Sequence, residues 1–224
     1  MNEVRLGFIL PIYLYKQERV AWAERALASL RKTEPLDYRP ALLCVVKPSN
    51  HSMLFEFPQF EQIIITQPPE VRELNSAFAY GYTEIFARFP WITHACILCD
   101  DWVYHPTWLG QLQNLILRHP DAKGWSVYRS GNARWHRTLR EEGEDCLVTS
   151  LNGPGAISRE GWRAWGVNYA SFPDPSGYSI DLLHVVQCRG ERWATRKSYI
   201  QHIGVRGTYA HAGELDLSEM FVGE

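Results

Sequence analysis

No apolar run in the 224 residues reaches the length that spans a bilayer, so no transmembrane helix is expected. The opening, MNEVRLGFILP, has too short an apolar part and the wrong placement of charge for a signal peptide, and a cytoplasmic location is the resulting expectation. Neither sign of charge prevails. Lys and Arg number 23, Asp and Glu 25, and the net charge of −2 leaves no global basic field to attract nucleic acid or an anionic membrane. Any such partner would have to meet a local patch. Cysteines are few, odd in number and scattered: Cys44, Cys96, Cys99, Cys146 and Cys188 make no disulfide framework. Cys96 and Cys99 form a C-x-x-C pair, but on a strand residues three apart face opposite ways, so they are expected to be separate thiols. The glycine-rich fingerprints of dinucleotide and phosphate loops are absent. So are internal repeats, low-complexity stretches and linkers, and one domain is the simplest organisation.

What is present is ordinary globular chemistry, 46% hydrophobic and 21% charged, in a chain long enough to bury a substantial core. Strand-like and helix-like stretches alternate. Residues 4–10 form an apolar run ending at Pro11, and Val20, Ala23, Leu27 and Leu30 then recur at helical spacing. Residues 41–46 and 62–66 read as strands. Residues 70–89 carry Leu74, Phe78 and Ile85 on one helical face, and residues 93–99 read as the next strand. Pro106 suits the first turn of a helix whose buried stripe is Leu109, Leu112 and Ile116. The second half is less regular. Strands are expected at 123–128, 146–151 and 198–203, helices at 160–165 and 180–188, and a turn at 152–155. The residues after Gly204 read as a loop or tail over the domain. The alternation predicts an α/β fold, with a mostly parallel central sheet flanked by helices on both faces.

The chemistry gathers at HACILCDDWVYHPTWLGQL, residues 94–112. A buried strand ends in two adjacent carboxylates, Asp100 and Asp101. Open α/β sheets bind ligands beyond the carboxyl ends of their strands. Two acids there are costly unless solvated, paired or bound to a cation. Mg²⁺ and Mn²⁺ take carboxylate oxygens and substrate phosphates together. The plain alternative is a solvated turn, or an acid pair ahead of the helix N-terminus near Pro106.

Several segments, in order, resemble the GT-A class of nucleotide-sugar glycosyltransferases. FILPIYLYKQERVAWAERALASL resembles that class's first strand, PxY loop and first helix. ELNSAFAYGYTEIF resembles the asparagine-bearing helix before the acidic motif, and CILCDDWVYHPTWL resembles that motif and its following helix. LNGPGAISREGW is similar to the small-residue turn lining the acceptor side. SGYSIDLLHVV stands where the class carries its catalytic carboxylate, and SYIQHIGVRG resembles the late strand whose histidine completes the metal site.

The resemblance implies a single GT-A-like domain, with a nucleotide-sugar-binding half at 1–118, an acceptor and catalytic half at 119–204 and a tail at 205–224. It implies transfer of a hexose or pentose from a nucleoside-diphosphate sugar, with a UDP-sugar as the expected donor, to an acceptor hydroxyl. Asp101 and His202 would hold the metal. Asp100 would contact the donor's ribose, or the metal through water. Pro11 and Tyr13 would border the nucleoside, Arg72 and Asn75 would lie near the base or diphosphate, and Asp181 would be the general base. Trp102, Gly153, Gly155 and Tyr178 would lie on the acceptor side. A neutral imidazole among the ligands favours Mn²⁺ over Mg²⁺. The class often has an acid before the Asp pair, where this chain has Cys99, and an acid ending the second strand, where it has CVVKPSNHS.

The acceptor is open. YRSGNARWHRTLREEGED, residues 128–145, interleaves Arg129, Arg134, Arg137 and Arg140 with Trp135 and His136. Such a segment can hold a phosphate backbone and stack a base, and it could equally hold an anionic glycan or lipid head group, so the expected acceptor is a glycan hydroxyl or, if the target is nucleic acid, a hydroxylated base in DNA. It is equally a solvated loop whose arginines pair with Glu141, Glu142 and Glu144. Two further classes stand beside the transferase. A nucleotidyltransferase could use the same acids with Mg²⁺, although PIYLYKQER lacks the glycines of its phosphate loop. A non-catalytic sugar- or nucleotide-binding module could also reuse the fold.

Overall fold

The computed structural model describes residues 3–14, 17–49, 53–71, 74–129, 137–151, 155–165, 190–204 and 221–222. The expected helix at 180–188 and most of the expected tail lie outside them.

The first half follows the apolar periodicity. β1 (Leu6–Ile12), β2 (Ala41–Val46), β3 (Glu61–Thr66) and β4 (His94–Ile97) lie parallel in the order β3-β2-β1-β4. Alternation sorts their side chains to two faces. Phe8, Leu10, Leu42, Cys44, Cys96 and Leu98 join one apolar cluster, with α1 (Gln17–Leu30) and α3 (Trp108–Arg118) packed on it. Ile9, Leu43, Val45, Ala95 and Ile97 join the other, under α2 (Leu74–Arg88). Helices therefore cover both faces, as the buried parallel strands require. At Gly81 a Cβ would stand 2.4 Å from Ile9 Cγ2, so α2 lies against β1 as closely as it does because that residue has no side chain.

The sequence suggests that Pro11 stops the first strand, yet β1 runs through it to Ile12. Backbone polar groups alternate sides along a strand. Ile9 O accepts from Leu98 N–H on the β4 side, and Ile12 O accepts from Lys47 N–H on the β2 side. The Pro11 nitrogen thus faces β4, whose pairing with β1 has already ended at the Ile9–Ile97 pair. No ladder bond is lost, which is what allows a proline there.

The second half extends the sheet with short strands, most of which the sequence does not signal. β4 pairs antiparallel with β9 (Gly155–Ser158), and β9 antiparallel with β6 (Gly124–Ser126). β6 pairs parallel with β10 (Arg192–Thr195), and β10 antiparallel with β8 (Asp145–Val148). β8 pairs with β7 (Thr138–Glu142) at the edge. The arginine-rich segment expected to be a loop therefore ends in a charged edge strand, a composition that discourages edge-to-edge association. β5 (Trp102–Tyr104) and β11 (Ile200–His202) form a separate antiparallel pair beside this sheet. α4 (Arg159–Trp165) matches the expected helix closely. Helix α3 starts at Trp108, so Pro106 precedes it rather than occupying its first turn.

Candidate active site

The two carboxylates lie just past the carboxyl end of β4 and beside that of β1. Both are buried, Asp100 3% and Asp101 8% exposed. A solvated turn would leave them in water, so other groups must hold their charge. The turn is fixed from below by Tyr104 on β5. Its buried hydroxyl accepts from the Cys99 N–H (3.0 Å) and donates to the Cys99 carbonyl (2.9 Å). Burial holds the Tyr104 phenol well above its usual range, so it stays a neutral donor and acceptor.

Asp100 and Asp101 point to different partners, as adjacent residues on an extended chain do. Asp100 Oδ2 accepts from the Tyr13 backbone N–H at 2.9 Å, tying the end of β1 to the acid turn. Its Oδ1 accepts from Arg19 Nη2. Asp101 Oδ2 accepts from Arg19 Nη1 at 2.9 Å and lies 3.4 Å from His202 Nε2. The backbone couples these last two elements as well, since Ile203 N–H donates to the Asp101 carbonyl at 2.9 Å. One arginine, 12% exposed and in the first turn of α1, therefore spans both acids with a single guanidinium.

The two acids differ electrostatically. Burial pushes Asp100 up, to about 6, with repulsion from Asp101 adding to burial while Arg19 and the Tyr13 N–H oppose it. Burial also pushes Asp101 up, but His202 and Arg19 together outweigh it and hold that carboxyl below its usual range. The two acids thus share one guanidinium, and His202 adds its hold to Asp101 alone.

Whether these residues fit a divalent ion can be judged from the donor set. Among the described residues no three His, Cys, Asp or Glu side chains converge on one point. Two do, namely Asp101 Oδ2 and His202 Nε2. An octahedral ion with bonds of about 2.1 Å places neighbouring ligands about 3.0 Å apart, so the 3.4 Å spacing closes onto one ion with a small shift. A carboxylate and an imidazole suit Mn²⁺, and both Mg²⁺ and Mn²⁺ sites commonly complete their shells with phosphate oxygens and water. The pair fits an ion shared with a ligand. Asp100, committed to Tyr13 and Arg19, is not turned toward it.

Among the other residues singled out in the sequence, Pro11 is buried in β1 and the Tyr13 ring is half-buried, with the Lys47 ammonium 5.6 Å from its centroid. Trp102 is buried between Tyr128 (ring centroids 4.2 Å) and His202 (5.5 Å), so it backs the histidine. Gly155 opens β9, where a Cβ would meet Leu151 Cδ1 at 2.9 Å, a packing reason for glycine. The Arg129 guanidinium is spent internally, donating to Thr138 Oγ1 (3.2 Å) and the Arg196 carbonyl (3.3 Å). Arg140 pairs with Glu142 at 2.6 Å, and the Arg137 N–H donates to Thr149 Oγ1. Arg72, Arg134, Trp135, His136, Gly153, Tyr178 and Asp181 lie outside the described residues, as does the side chain of Asn75.

Two site residues escaped the sequence reading. Arg19 sits in QERV, which reads as a solvated helix start. Gly204 follows the histidine strand, and a Cβ there would stand 2.7 Å from Asp101 Oδ2 and 3.0 Å from His202 Nε2.

No family model matches the sequence, and no curated protein matches it either. Solved structures do match. GalNAc-T7 with UDP, GalNAc and Mn²⁺ superposes with a TM-score of 0.65 at 14% identity, covering 91% of this chain and 44% of the other. S. aureus TarS gives 0.62 at 10% identity, covering 90% and 37%. Residues 1–349 of TarS in complex with UDP give 0.58 at 12%, covering 88% and 60%. The fold is GT-A. The chain spans less than two thirds of the length of each of these GT-A structures, and at such identity the likeness is one of fold. Among the described residues no helix is long and apolar enough to cross a membrane.

Proposed function

We propose that this GT-A chain is a metal-assisted glycosyltransferase that moves a sugar from a nucleoside-diphosphate sugar, a UDP-sugar first among the candidates, to an acceptor hydroxyl. The observation that carries this reading is the convergence of Asp101 and His202, 3.4 Å apart, at the strand ends where open α/β sheets bind ligands. The UDP and Mn²⁺ in the GalNAc-T7 structure support the choice of donor and ion.

Asp101 and His202 would hold the ion. Trp102 packs against the imidazole and restricts its orientation. Asp100 positions rather than ligates, since its carboxylate locks the Tyr13 backbone and one arm of Arg19 beside the cation site. A bound divalent ion supplies positive charge for the departing diphosphate. Asp181 is the base for the acceptor hydroxyl that the family resemblance implies for an inverting transfer.

The test is release of nucleoside diphosphate from a panel of nucleotide sugars, with Mn²⁺ or with chelator, for the wild type and Asp101→Asn. The expected outcome is Mn²⁺-dependent turnover of one donor, reduced by about 10²-fold or more in the variant, as for loss of an electrostatic stabiliser of the leaving group. Turnover unchanged by chelator and by the variant would remove the metal from the reaction. Binding of a nucleotide sugar with no turnover would make the chain a binding module.

A further inference from the structure

The guanidinium of Arg19 stands where a second cation would be expected. Nη1 lies 2.9 Å from Asp101 Oδ2, the oxygen that also faces His202 Nε2, and Nη2 holds Asp100 Oδ1. Arg19 comes from the first turn of α1, has Trp22 beside it (5.8 Å from guanidinium carbon to ring centroid) and is largely buried. Its fork is the bidentate geometry by which arginine grips carboxylates, and it matches phosphate oxygens equally well.

An ion held by Asp101 and His202 would use the oxygen that Nη1 now occupies. Sharing that oxygen would set the ion and the guanidinium close together, where their repulsion is strong because the site is buried. Asp100 offers Arg19 an independent anchor, so loss of the Asp101 contact frees one arm of the fork without expelling the side chain. A diphosphate arriving at the same strand ends presents oxygens to that arm. Metal and nucleotide would therefore each favour the same displaced position of Arg19, and two ligands that favour one state bind cooperatively and reciprocally.

We propose that Arg19 is a built-in competitor for the divalent ion: without donor it bridges the Asp100–Asp101 pair, and on binding it gives up Asp101 to the ion and passes its freed arm to the diphosphate. The inference rests on the metal-assisted reading above and adds a residue to it. It makes the protein bind Mn²⁺ weakly alone and tightly with nucleoside diphosphate.

The experiment is titration of Mn²⁺, followed by the electron-spin-resonance signal of the free ion, with and without UDP, on the wild type, Arg19→Gln and Arg19→Lys. Circular dichroism checks that each variant is folded. For the wild type, UDP should tighten Mn²⁺ binding by about tenfold or more, within the usual range of coupling between two sites. Arg19→Gln should bind Mn²⁺ alone about tenfold more tightly than wild type and show a UDP effect smaller by the same factor, what remains being the diphosphate oxygens that complete the shell of the ion. Arg19→Lys, which keeps a charge but not the fork, should fall between them, and it carries the test if the glutamine variant does not fold. If UDP couples to Mn²⁺ as strongly in the variants as in wild type, Arg19 is not the competitor, though the metal site stands. If the variants bind Mn²⁺ alone no more tightly, or more weakly, the proposal is overturned in the same way. If no form binds Mn²⁺ even with UDP, the metal-assisted reading fails and the competitor with it.

Discussion

At the scale of single residues the site is a contest over charge. Two buried carboxylates, one guanidinium and one imidazole meet within a few ångströms, and each acid is held by a different combination of partners. The acids and His202 were legible in the sequence because their type and position agree: an apolar run ends in acids, and a late strand-like stretch carries a histidine. Arg19 was not legible. In a helix's first turn between Glu18 and Val20 it has the composition of a solvated face, and only the fold brings it across 82 positions to Asp101. Gly204 was equally silent, since a glycine after a strand usually marks a turn. Its role is to leave room. Gly204→Ala should weaken Mn²⁺ binding in the presence of UDP by on the order of 10- to 100-fold, because the added methyl would press on both atoms proposed to hold the ion. Titration of Mn²⁺, with thermal unfolding as the control for folding, checks it. Unchanged affinity would show that Asp101 Oδ2 and His202 Nε2 are not the ligand atoms.

At the scale of elements, long periodic segments were readable and several of the shortest strands were not. α1, β2, α2 and α3 each have enough residues to display a 3.6- or 2-residue period, and they form near the expected positions. β5, β9 and β10, of three or four residues each, are too short for any period to show and no strand is expected at them, whereas β6 and β11, of three residues each, fall inside the longer strands expected at 123–128 and 198–203. Their pairing is imposed by neighbours distant in sequence. β5 matters most, because a stretch at which no strand is expected from the sequence is the strand that anchors the acid turn through Tyr104. Tyr104→Phe should leave the Cys99 N–H and carbonyl without their partner. The expected cost is about 1–3 kcal/mol of folding stability, together with weaker nucleotide binding as the Asp100–Asp101 turn loosens. Urea unfolding and nucleotide titration measure the two effects. Full stability in the variant would mean that water replaces the hydroxyl, and that the turn is held elsewhere.

At the scale of the molecule, the parallel strands set the ends of β1 and β4 side by side, and the smaller β5–β11 pair brings His202 to them. The fold class followed from the alternation of elements, and the structural matches bear it out. The mixed continuation of the sheet beyond β4 did not, because antiparallel returns such as β9 leave no signature in composition. The most direct measurement is thermal unfolding of wild type and Asp101→Asn with UDP, each with and without Mn²⁺. A ligand at a hundred times its dissociation constant stabilises a fold by about 2.7 kcal/mol, which for a chain of this size raises the midpoint by about 5–10 °C. That rise is expected for wild type only when UDP and Mn²⁺ are both present, and none is expected for Asp101→Asn. A rise of the same size in the variant, or with UDP in the presence of chelator, would contradict the metal-assisted reading.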